Sequence, residues 1–456
     1  MKQISTWAAV LLLCAMSYGS IAGAATDTKQ AGPQDIPLRQ FTLQNGLRVV
    51  LWPTRQAPVI AVAVVYNTGS RNEAMGKTGY AHLFEHMMFQ GSQNVGRGEH
   101  MALIQENGGG MNGETNAEVT QYYEALPSNQ LDLALFLESD RMRGLNLTQA
   151  SLDNQRSTVQ EERRLRVDNQ PYGATGEEVD ELSHDAFAYR HPVIGSMTDL
   201  NAATLEDIKN FFTIYYAPDN AVLAVSGDFD EKTIRTKIES YFGSIPNRPP
   251  PPPVNVAEPP ITEARTKTLT DSFATQPMVT VAYRTVPANT PAWYALEVAS
   301  SVLGDGQSSR LYTRLVKEKQ LATSVYCDLD ESRGSSLFDV KVILRKEASM
   351  KAVEEAVAEE IASLQSDPPK AWEIEKARNG ALARAASMKQ AALGRAITIA
   401  VSEAMFRDPK IDLLDADRVS RIDASEVAKA TMQYLKPNGR VIVETQVNAP
   451  KMPVQQ

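Results

Sequence analysis

Residues 79–89 of this 456-residue chain read GYAHLFEHMMF, an apolar stretch with two histidines and one glutamate. The apolar residues and the lack of proline predict a helix. Because residues four apart share one face of a helix, His82 and His86 can direct both imidazoles at one metal ion, with Glu85 beside them. The order His-x-x-Glu-His is the reverse of the commoner zinc-protease motif. A pair of hydrogen-bonded histidines is the alternative, but a buried Glu85 would then need a partner of its own.

A catalytic zinc site needs three protein ligands and one open position, so a third ligand has to come from elsewhere in the chain. A carboxylate on a neighbouring helix is a suitable source, and one helical segment offers Glu161 and Glu162. Spacing alone does not choose between them, and a solvated run of charges is a further interpretation. The other histidines, His100, His184 and His191, have no partner at ligand spacing and are interpreted as structural or surface residues.

The composition is that of an ordinary globular protein. The chain has 46 Lys and Arg against 55 Asp and Glu, a net charge of −9, and 43% of its residues are hydrophobic. This acidic balance without long basic runs argues against nucleic acid as a partner, because phosphate binding needs clustered cations. The length predicts two or three domains, each able to bury a core of its own.

The N-terminus has the parts of a secretory signal peptide. Lys2 precedes an apolar run from Trp7 to Met16, and small residues continue to Ala25;. We expect residues 1–25 to be removed and the mature protein to be periplasmic. The run is too short for a membrane anchor, and no later segment is long and apolar enough to span a bilayer. Cleavage would leave Cys327 without a second cysteine, so no intramolecular disulfide is expected.

A proline-rich segment divides the chain into two halves of similar size. Residues 246–262 contain five consecutive prolines and a further pair, which exclude helix and favour a stiff extended linker;. We therefore predict one domain at 33–245, which carries the histidine pair, and a second at 263–450.

The two halves share a pattern of helix, proline and strand. Three positions recur at one constant offset: Ile208, Tyr215 and Pro218 in the first half, and Val427, Tyr434 and Pro437 in the second. The repeat indicates a duplicated domain. Strands and amphipathic helices do not alternate strictly, so each half is predicted to be α+β, a mainly antiparallel sheet covered by helices.

The chain resembles the pitrilysin family of zinc metallopeptidases, the inverzincins. The resemblance rests on segments 79–89, 154–163 and 216–220, and it is strongest to the mitochondrial-processing-peptidase-like branch. It implies that this is a zinc-bearing subunit with one Zn²⁺ held by His82, His86 and Glu162. It also implies that Glu85 is the general base that activates a zinc-bound water. Many relatives carry a glutamate beside the ligands where this chain has Gln155, so a charge is missing there.

A short segment resembles the family's edge strand beside the zinc, where an extended substrate adds to the sheet by main-chain hydrogen bonds. It comprises Asn112, Gly113, Glu114 and Thr115. From composition alone, an ordinary hairpin is an equally good interpretation.

The second half departs from the family at one place. Segment 306–325 resembles a C-terminal-domain segment in which substrate-binding members carry an arginine and, seven residues later, a tyrosine. Val316 and Thr323 occupy those positions here and supply neither a cation nor a phenol;. We expect a paralogous zinc-free subunit to supply the Arg/Tyr clamp in a heterodimer, with a homodimer as the other possibility.

The sequence thus predicts an exported zinc endopeptidase that cleaves peptides or unfolded segments in a closed chamber. The alternative is a non-catalytic peptide-binding or structural subunit of the same fold. It is disfavoured because such relatives usually lose the zinc motif, whereas His82, Glu85, His86 and Glu162 are all present.

Overall fold

Two β-sheets form the framework of the chain. The computed structural model describes residues 36–448, and the expected signal peptide at 1–25 lies outside them. The strands of the first sheet are β1 (Arg39–Thr42), β2 (Arg48–Pro53), β3 (Val59–Tyr66), β4 (Gly110–Thr115), β5 (Thr120–Pro127) and β6 (Ala221–Gly227). Those of the second are β7 (Arg265–Asp271), β8 (Met278–Arg284), β9 (Ala322–Leu329), β10 (Leu337–Leu344) and β11 (Arg440–Val447).

The two sheets have the same topology. The first has the order β1-β2-β6-β3-β5-β4 and the second the order β7-β11-β8-β10-β9, so they agree strand for strand once β1 is set aside. In each sheet one pair is parallel, β2 with β6 and β7 with β11, and the remaining pairs are antiparallel. The predicted α+β fold with two mainly antiparallel sheets is confirmed, and the shared topology is what a duplication would produce.

Helices cover both sheets. The first half contains α1 (Tyr80–Met87), α2 (Glu99–Glu106), α3 (Leu131–Arg143), α4 (Gln149–Arg163), α5 (Gly173–Ser183), α6 (Met197–Ala202), α7 (Leu205–Tyr215) and α8 (Ile234–Phe242). The second contains α9 (Pro291–Gly304), α10 (Met350–Ser366), α11 (Ala371–Gln390), α12 (Ala392–Phe406), α13 (Asp415–Arg421) and α14 (Ala424–Tyr434). Residues 246–262, between the two sheets in sequence, contain neither helix nor strand.

The repeated sequence pattern occupies equivalent places in the two halves. Helices α7 and α14 each lead into a short 3₁₀ turn that begins with proline, Pro218 in one case and Pro437 in the other. Each turn continues directly into the strand that pairs in parallel within its sheet.

One helix of each half packs against the sheet of the other half. Helix α12 packs against β2, β3, β5 and β6, and α5 packs against β7, β8 and β11. On α5, Val179 joins an apolar cluster with Val441 and Val443 of β11. Because α12 covers one face of the first sheet and α3 contacts the strands as well, β6 is buried along its whole length and β3 along nearly all of it;. The described residues from Pro37 onward therefore belong to one compact unit.

Candidate metal centre

Helix α1 carries the histidine pair and is held firmly by its surroundings. It contacts α4, α7, β4 and β5, and its buried apolar residues include Leu83, Phe84 and Met87. At its start, the Glu73 carboxylate accepts hydrogen bonds from the backbone N–H groups of Gly79 at 2.9 Å and Ala81 at 2.7 Å. An anion at this position stabilises a helix N-terminus. His82 and His86 remain on the side that meets α4.

The three predicted ligands come together between α1 and α4. Nε2 of His86 lies 3.3 Å from Oε2 of Glu162, and Nε2 of His82 lies 3.7 Å from the same oxygen. One possible ligand atom from each residue lies within 4.8 Å of the other two. Glu161 turns away, with a side chain that is 58% exposed and paired with Arg164 at 3.0 Å. The geometry therefore favours Glu162 over the adjacent carboxylate.

This set of donor atoms fits a zinc ion. Burial, together with the neighbouring His86, lowers the pKa of His82 to about 3, so its imidazole is neutral and carries a lone pair near neutral pH;. Nδ1 of His82 is buried without a hydrogen-bond partner among the residues that the structure describes. Two imidazoles and one carboxylate are a known ligand set of catalytic zinc sites that keep a position open.

Glu85 lies beside the three predicted ligands, and one of its carboxylate oxygens accepts a hydrogen bond. The Thr115 hydroxyl donates a hydrogen bond to Oε2 of Glu85 at 2.6 Å. Glu85 is only 8% exposed, and burial raises its pKa to about 7, although the hydrogen bond from Thr115 acts in the opposite direction. A carboxyl group with a pKa near neutrality can both accept and release a proton.

Two polar side chains contact His86 and Glu162 through the atoms that do not face the other possible ligands. Oε1 of Gln155 lies 3.2 Å from Nδ1 of His86, a contact that orients the ring when Nδ1 carries the proton;. Nη1 of Arg166 lies 2.9 Å from Oε1 of Glu162, which leaves Oε2 towards the histidines. Arg166 belongs to a π-helical segment, Arg164–Asp168, that continues α4. Arg166 was not predicted as a site residue, although its spacing of four residues from Glu162 is a signal that could have indicated this contact.

The predicted substrate strand lies at the edge of the first sheet next to Glu85. β4 is the last strand in the sheet order and pairs with β5. Gly113 and Thr115 are half-buried, whereas Asn112 and Glu114 alternate to the exposed side. A Cβ atom on Gly113 would stand 3.1 Å from Cγ of Glu85. The strand thus passes directly over the carboxylate, while its outer edge can pair with another extended chain.

His184 and His191 lie in buried pairs with carboxylates. Nδ1 of His184 lies 3.1 Å from Oε1 of Glu258, and Nε2 of His191 lies 2.9 Å from Oε2 of Glu73. Glu73 accepts hydrogen bonds at the start of α1, so its contact with His191 helps to fix the helix that carries the candidate ligands. Both histidines are buried rather than at the surface.

His100 belongs to a second cluster that spacing did not reveal. Its Nε2 lies 3.2 Å from Oε2 of Glu124, and with Glu138 the two form another group of possible metal ligands. Fully buried Arg141 donates through Nε to Glu138 at 2.9 Å and lies over the Tyr122 ring, 4.5 Å from its centroid. The guanidinium already provides the cation of this cluster, so we assign no metal to it.

The duplicated fold and the His-His-Glu group beside an acidic residue define a class of metallopeptidase-like proteins. Family models agree: "Insulinase (Peptidase family M16)" matches residues 48–191, and "Peptidase M16 inactive domain" matches residues 202–381. The chain belongs to peptidase family M16, and the resemblance seen in the sequence is confirmed.

Relatives of this chain include named zinc proteases. Zinc protease PqqE of Helicobacter pylori is 34% identical over 301 residues, which cover 65% of this chain and 68% of the relative. The crystal structure of a protease from Helicobacter pylori has a TM-score of 0.85 at 28% identity and covers 90% of this chain and 99% of that chain. The periplasmic protease PqqL from Escherichia coli has a TM-score of 0.74, covering 92% of this chain and 49% of that one. At 18% identity, the likeness to PqqL concerns the fold alone.

No helix within residues 36–448 has the length and apolar character needed to cross a membrane.

Proposed function

We propose that this chain is an exported zinc-dependent endopeptidase that cleaves peptides or unfolded segments. The observation that supports this best is the convergence of His82, His86 and Glu162, with Glu85 beside them, in a member of family M16. The three residues would hold one Zn²⁺ per chain, and the zinc proteases among the relatives favour this metal. When bound, the ion polarises a scissile carbonyl and lowers the pKa of a water molecule towards neutrality.

Glu85 carries the proton in the proposed reaction. Thr115 holds Oε2, which leaves Oε1 to take a proton from the attacking water and to deliver it to the leaving amine;. Gln155 would keep the His86 ring in its orientation, and Arg166 would keep one oxygen of Glu162 directed at the histidines.

The edge strand β4 is the proposed docking site for the substrate. An extended peptide that pairs with Asn112–Thr115 would be held mainly by main-chain hydrogen bonds, which read backbone shape more than side chains. A folded protein seldom offers a free strand, so this mode suits peptides and unfolded segments. The position of Gly113 over Glu85 would bring the bound backbone to the acid.

We further infer that a second chain completes substrate binding. Val316 lies in a π-helical segment, Tyr312–Glu318, and the Thr323 hydroxyl donates to the backbone oxygen of Ile343 at 3.2 Å. Neither side chain can grip a peptide as an Arg/Tyr pair would. A zinc-free paralogue that supplies the pair, and that encloses a chamber with this chain, remains our proposal, and a homodimer is the alternative. The periplasm is the proposed location, because residues 1–25 have the parts of a secretory signal peptide;.

Metal content and turnover of matched variants test the proposed chemistry. Glu85→Gln should retain zinc and lose turnover, because the amide cannot take the proton. His82→Ala and Glu162→Gln should lose the metal, whereas Glu161→Gln, the adjacent exposed residue, should keep both metal and activity. The measurements are elemental analysis and cleavage of an unstructured peptide with and without a chelator. Turnover by Glu85→Gln would refute the assigned base.

Purification with and without native associates tests the proposed partner. The chain alone should bind zinc yet cleave peptides poorly, and activity should rise when the associates are retained. The native mass separates a heterodimer from a homodimer. Full activity of the isolated chain would refute the need for a partner, whereas a zinc-loaded native complex without any cleavage would favour a non-catalytic subunit.

A further inference from the structure

The turn that follows β4 is held by a residue of the second half. This turn, residues 116–119, contains Glu118, whose side chain is only 3% exposed. Oε1 of Glu118 accepts hydrogen bonds from the Tyr189 hydroxyl at 2.6 Å and from the Arg333 backbone N–H at 2.9 Å. Oε2 lies 2.6 Å from Nε of Arg333 and 3.1 Å from Nε of Arg71. A buried carboxylate is thus matched by two cations, one from each half of the chain.

Arg333 makes further contacts that fix its orientation. Nη2 donates to the backbone oxygen of Glu118 at 3.0 Å, and Nη1 donates to Oδ1 of Asn67 at 2.6 Å. The next residue, Gly334, donates its N–H to the Tyr189 hydroxyl at 3.0 Å. A Cβ atom on Gly334 would lie 2.4 Å from the Tyr189 ring, so glycine permits this close approach;. Because the guanidinium group is planar and rigid, Arg333 can make all of these contacts only when the turn is in one position.

The turn is directly connected to the candidate metal centre. Thr115 ends β4 immediately before the turn and donates to Oε2 of Glu85 at 2.6 Å. Within the turn, Oδ1 of Asn116 accepts from the N–H groups of Glu118 and Val119 at 2.8 Å each. A displacement of Glu118 would therefore also displace Thr115, because the segment between them is short and internally hydrogen-bonded.

We propose that Arg333 is a positioning residue for the site, which acts by holding the 116–119 turn and, through it, Thr115 against Glu85. Its catalytic consequence rests on the proposed peptidase function, but its effect on the turn does not. By this inference the second half supports the orientation of the acid in the first half. Loss of Arg333 should reduce turnover without loss of metal, because none of the three ligands belongs to the turn.

The experiment compares arginine variants of the full-length chain with and without added zinc. Arg333→Ala should bind zinc as the wild type does, while kcat on an unstructured peptide falls on the order of tenfold or more and KM changes much less. Amide hydrogen exchange of residues 115–119 should accelerate in both metal states. Arg333→Lys keeps the charge but not the fork, so it should recover part of both effects. Arg345→Ala removes an exposed arginine of the same half and should change neither.

Unchanged kcat together with unchanged exchange in Arg333→Ala would overturn the proposal. A lower folded fraction with normal kcat per folded molecule would overturn it as well, because that result marks a purely structural residue. Should the alanine variant fail to fold, Arg333→Lys carries the same test. If the wild type shows no zinc-dependent cleavage, the proposed function fails, and exchange at 115–119 still decides whether Arg333 holds the turn.

Discussion

Glu124 is a carboxyl group whose ionisation opposes folding. Burial raises its pKa to about 7 from an ordinary value of 4.5, although Arg141 and the hydrogen bond with Glu138 lower it in part. The folded state therefore favours the protonated form. This group's contribution to stability is complete below about pH 4.5 and is lost as the pH rises through about 7, because the unfolded chain ionises first.

Replacing Glu124 by its neutral isostere should remove this pH dependence. We expect the free energy of unfolding of Glu124→Gln to fall less than that of the wild type from about pH 5 to about pH 8, so its relative stability increases with pH. Glu138 continues to pair with Arg141 in this variant. Urea unfolding across the range measures the effect, with Glu106→Gln on the exposed side of α2 as the control. Parallel curves for Glu124→Gln and wild type would contradict the prediction.

At the residue scale, what the sequence could predict depended on distance along the chain. His82, Glu85 and His86 could be grouped because side chains three and four apart on a helix share a face in any surroundings. Spacing could not decide between Glu161 and Glu162, because adjacent residues on a helix differ only in the side of the helix that they face. Which side faces the histidines depends on how α4 packs. The pair of Glu118 and Arg333 is 215 residues apart, beyond any local pattern.

At the scale of elements, β4 and α1 approach each other closely at Gly113. A Cβ atom there would lie 3.1 Å from Cγ and Oε1 of Glu85 and 3.3 Å from the Phe89 ring, so the carboxylate would have to move. We expect Gly113→Ala to retain zinc and to lose turnover on the order of tenfold or more, because small misplacements of a reacting group are costly. Peptide cleavage and metal content measure this result.

Gly110 on the same strand provides the matched control. A Cβ atom on Gly110 would meet nothing within 4 Å, and its backbone is not in the left-handed region. Gly110→Ala should therefore keep both zinc and turnover. Equal turnover of the two variants would show that the strand does not limit the position of Glu85.

Individual helices and strands could be predicted from the sequence, but the elements that they pack against or pair with could not. The amphipathic pattern of residues 131–143 predicts a helix, and α3 covers the same residues;. A similar pattern at 151–167 predicts a second helix, but α4 begins earlier, at Gln149, because Thr148 caps it by accepting from the N–H of Ser151 at 3.1 Å;. From Arg164 onward this segment is π-helical. Sheet order depends on long-range pairing, so the edge position of β4 came from the family resemblance rather than from local periodicity.

At the scale of the whole molecule, the packing of α5 and α12 against the sheet of the opposite half could not be predicted from the sequence. We refer to this packing as the helix exchange. The apolar face of an amphipathic helix indicates that it will be buried, but not against which sheet. The constant offset between the halves did indicate the duplication, because corresponding residues serve corresponding turns in both domains. The exchange ties these domains together more firmly than an extended linker alone would.

This exchange predicts that the halves cannot be separated as stable domains. A fragment of residues 37–245 would lack α12 and would expose one face of the first sheet, where β3 and β6 are apolar and buried. It would also leave Arg48 without Glu403, its partner at 2.7 Å. We expect this fragment to aggregate when produced alone, and to remain soluble when produced together with residues 246–448, since α12 and α5 can then dock as in the intact chain. Size-exclusion chromatography and native mass measure the outcome. A folded, monomeric 37–245 fragment that unfolds cooperatively would show that the first sheet is stable without α12, and that the helix exchange contributes little to holding the halves together.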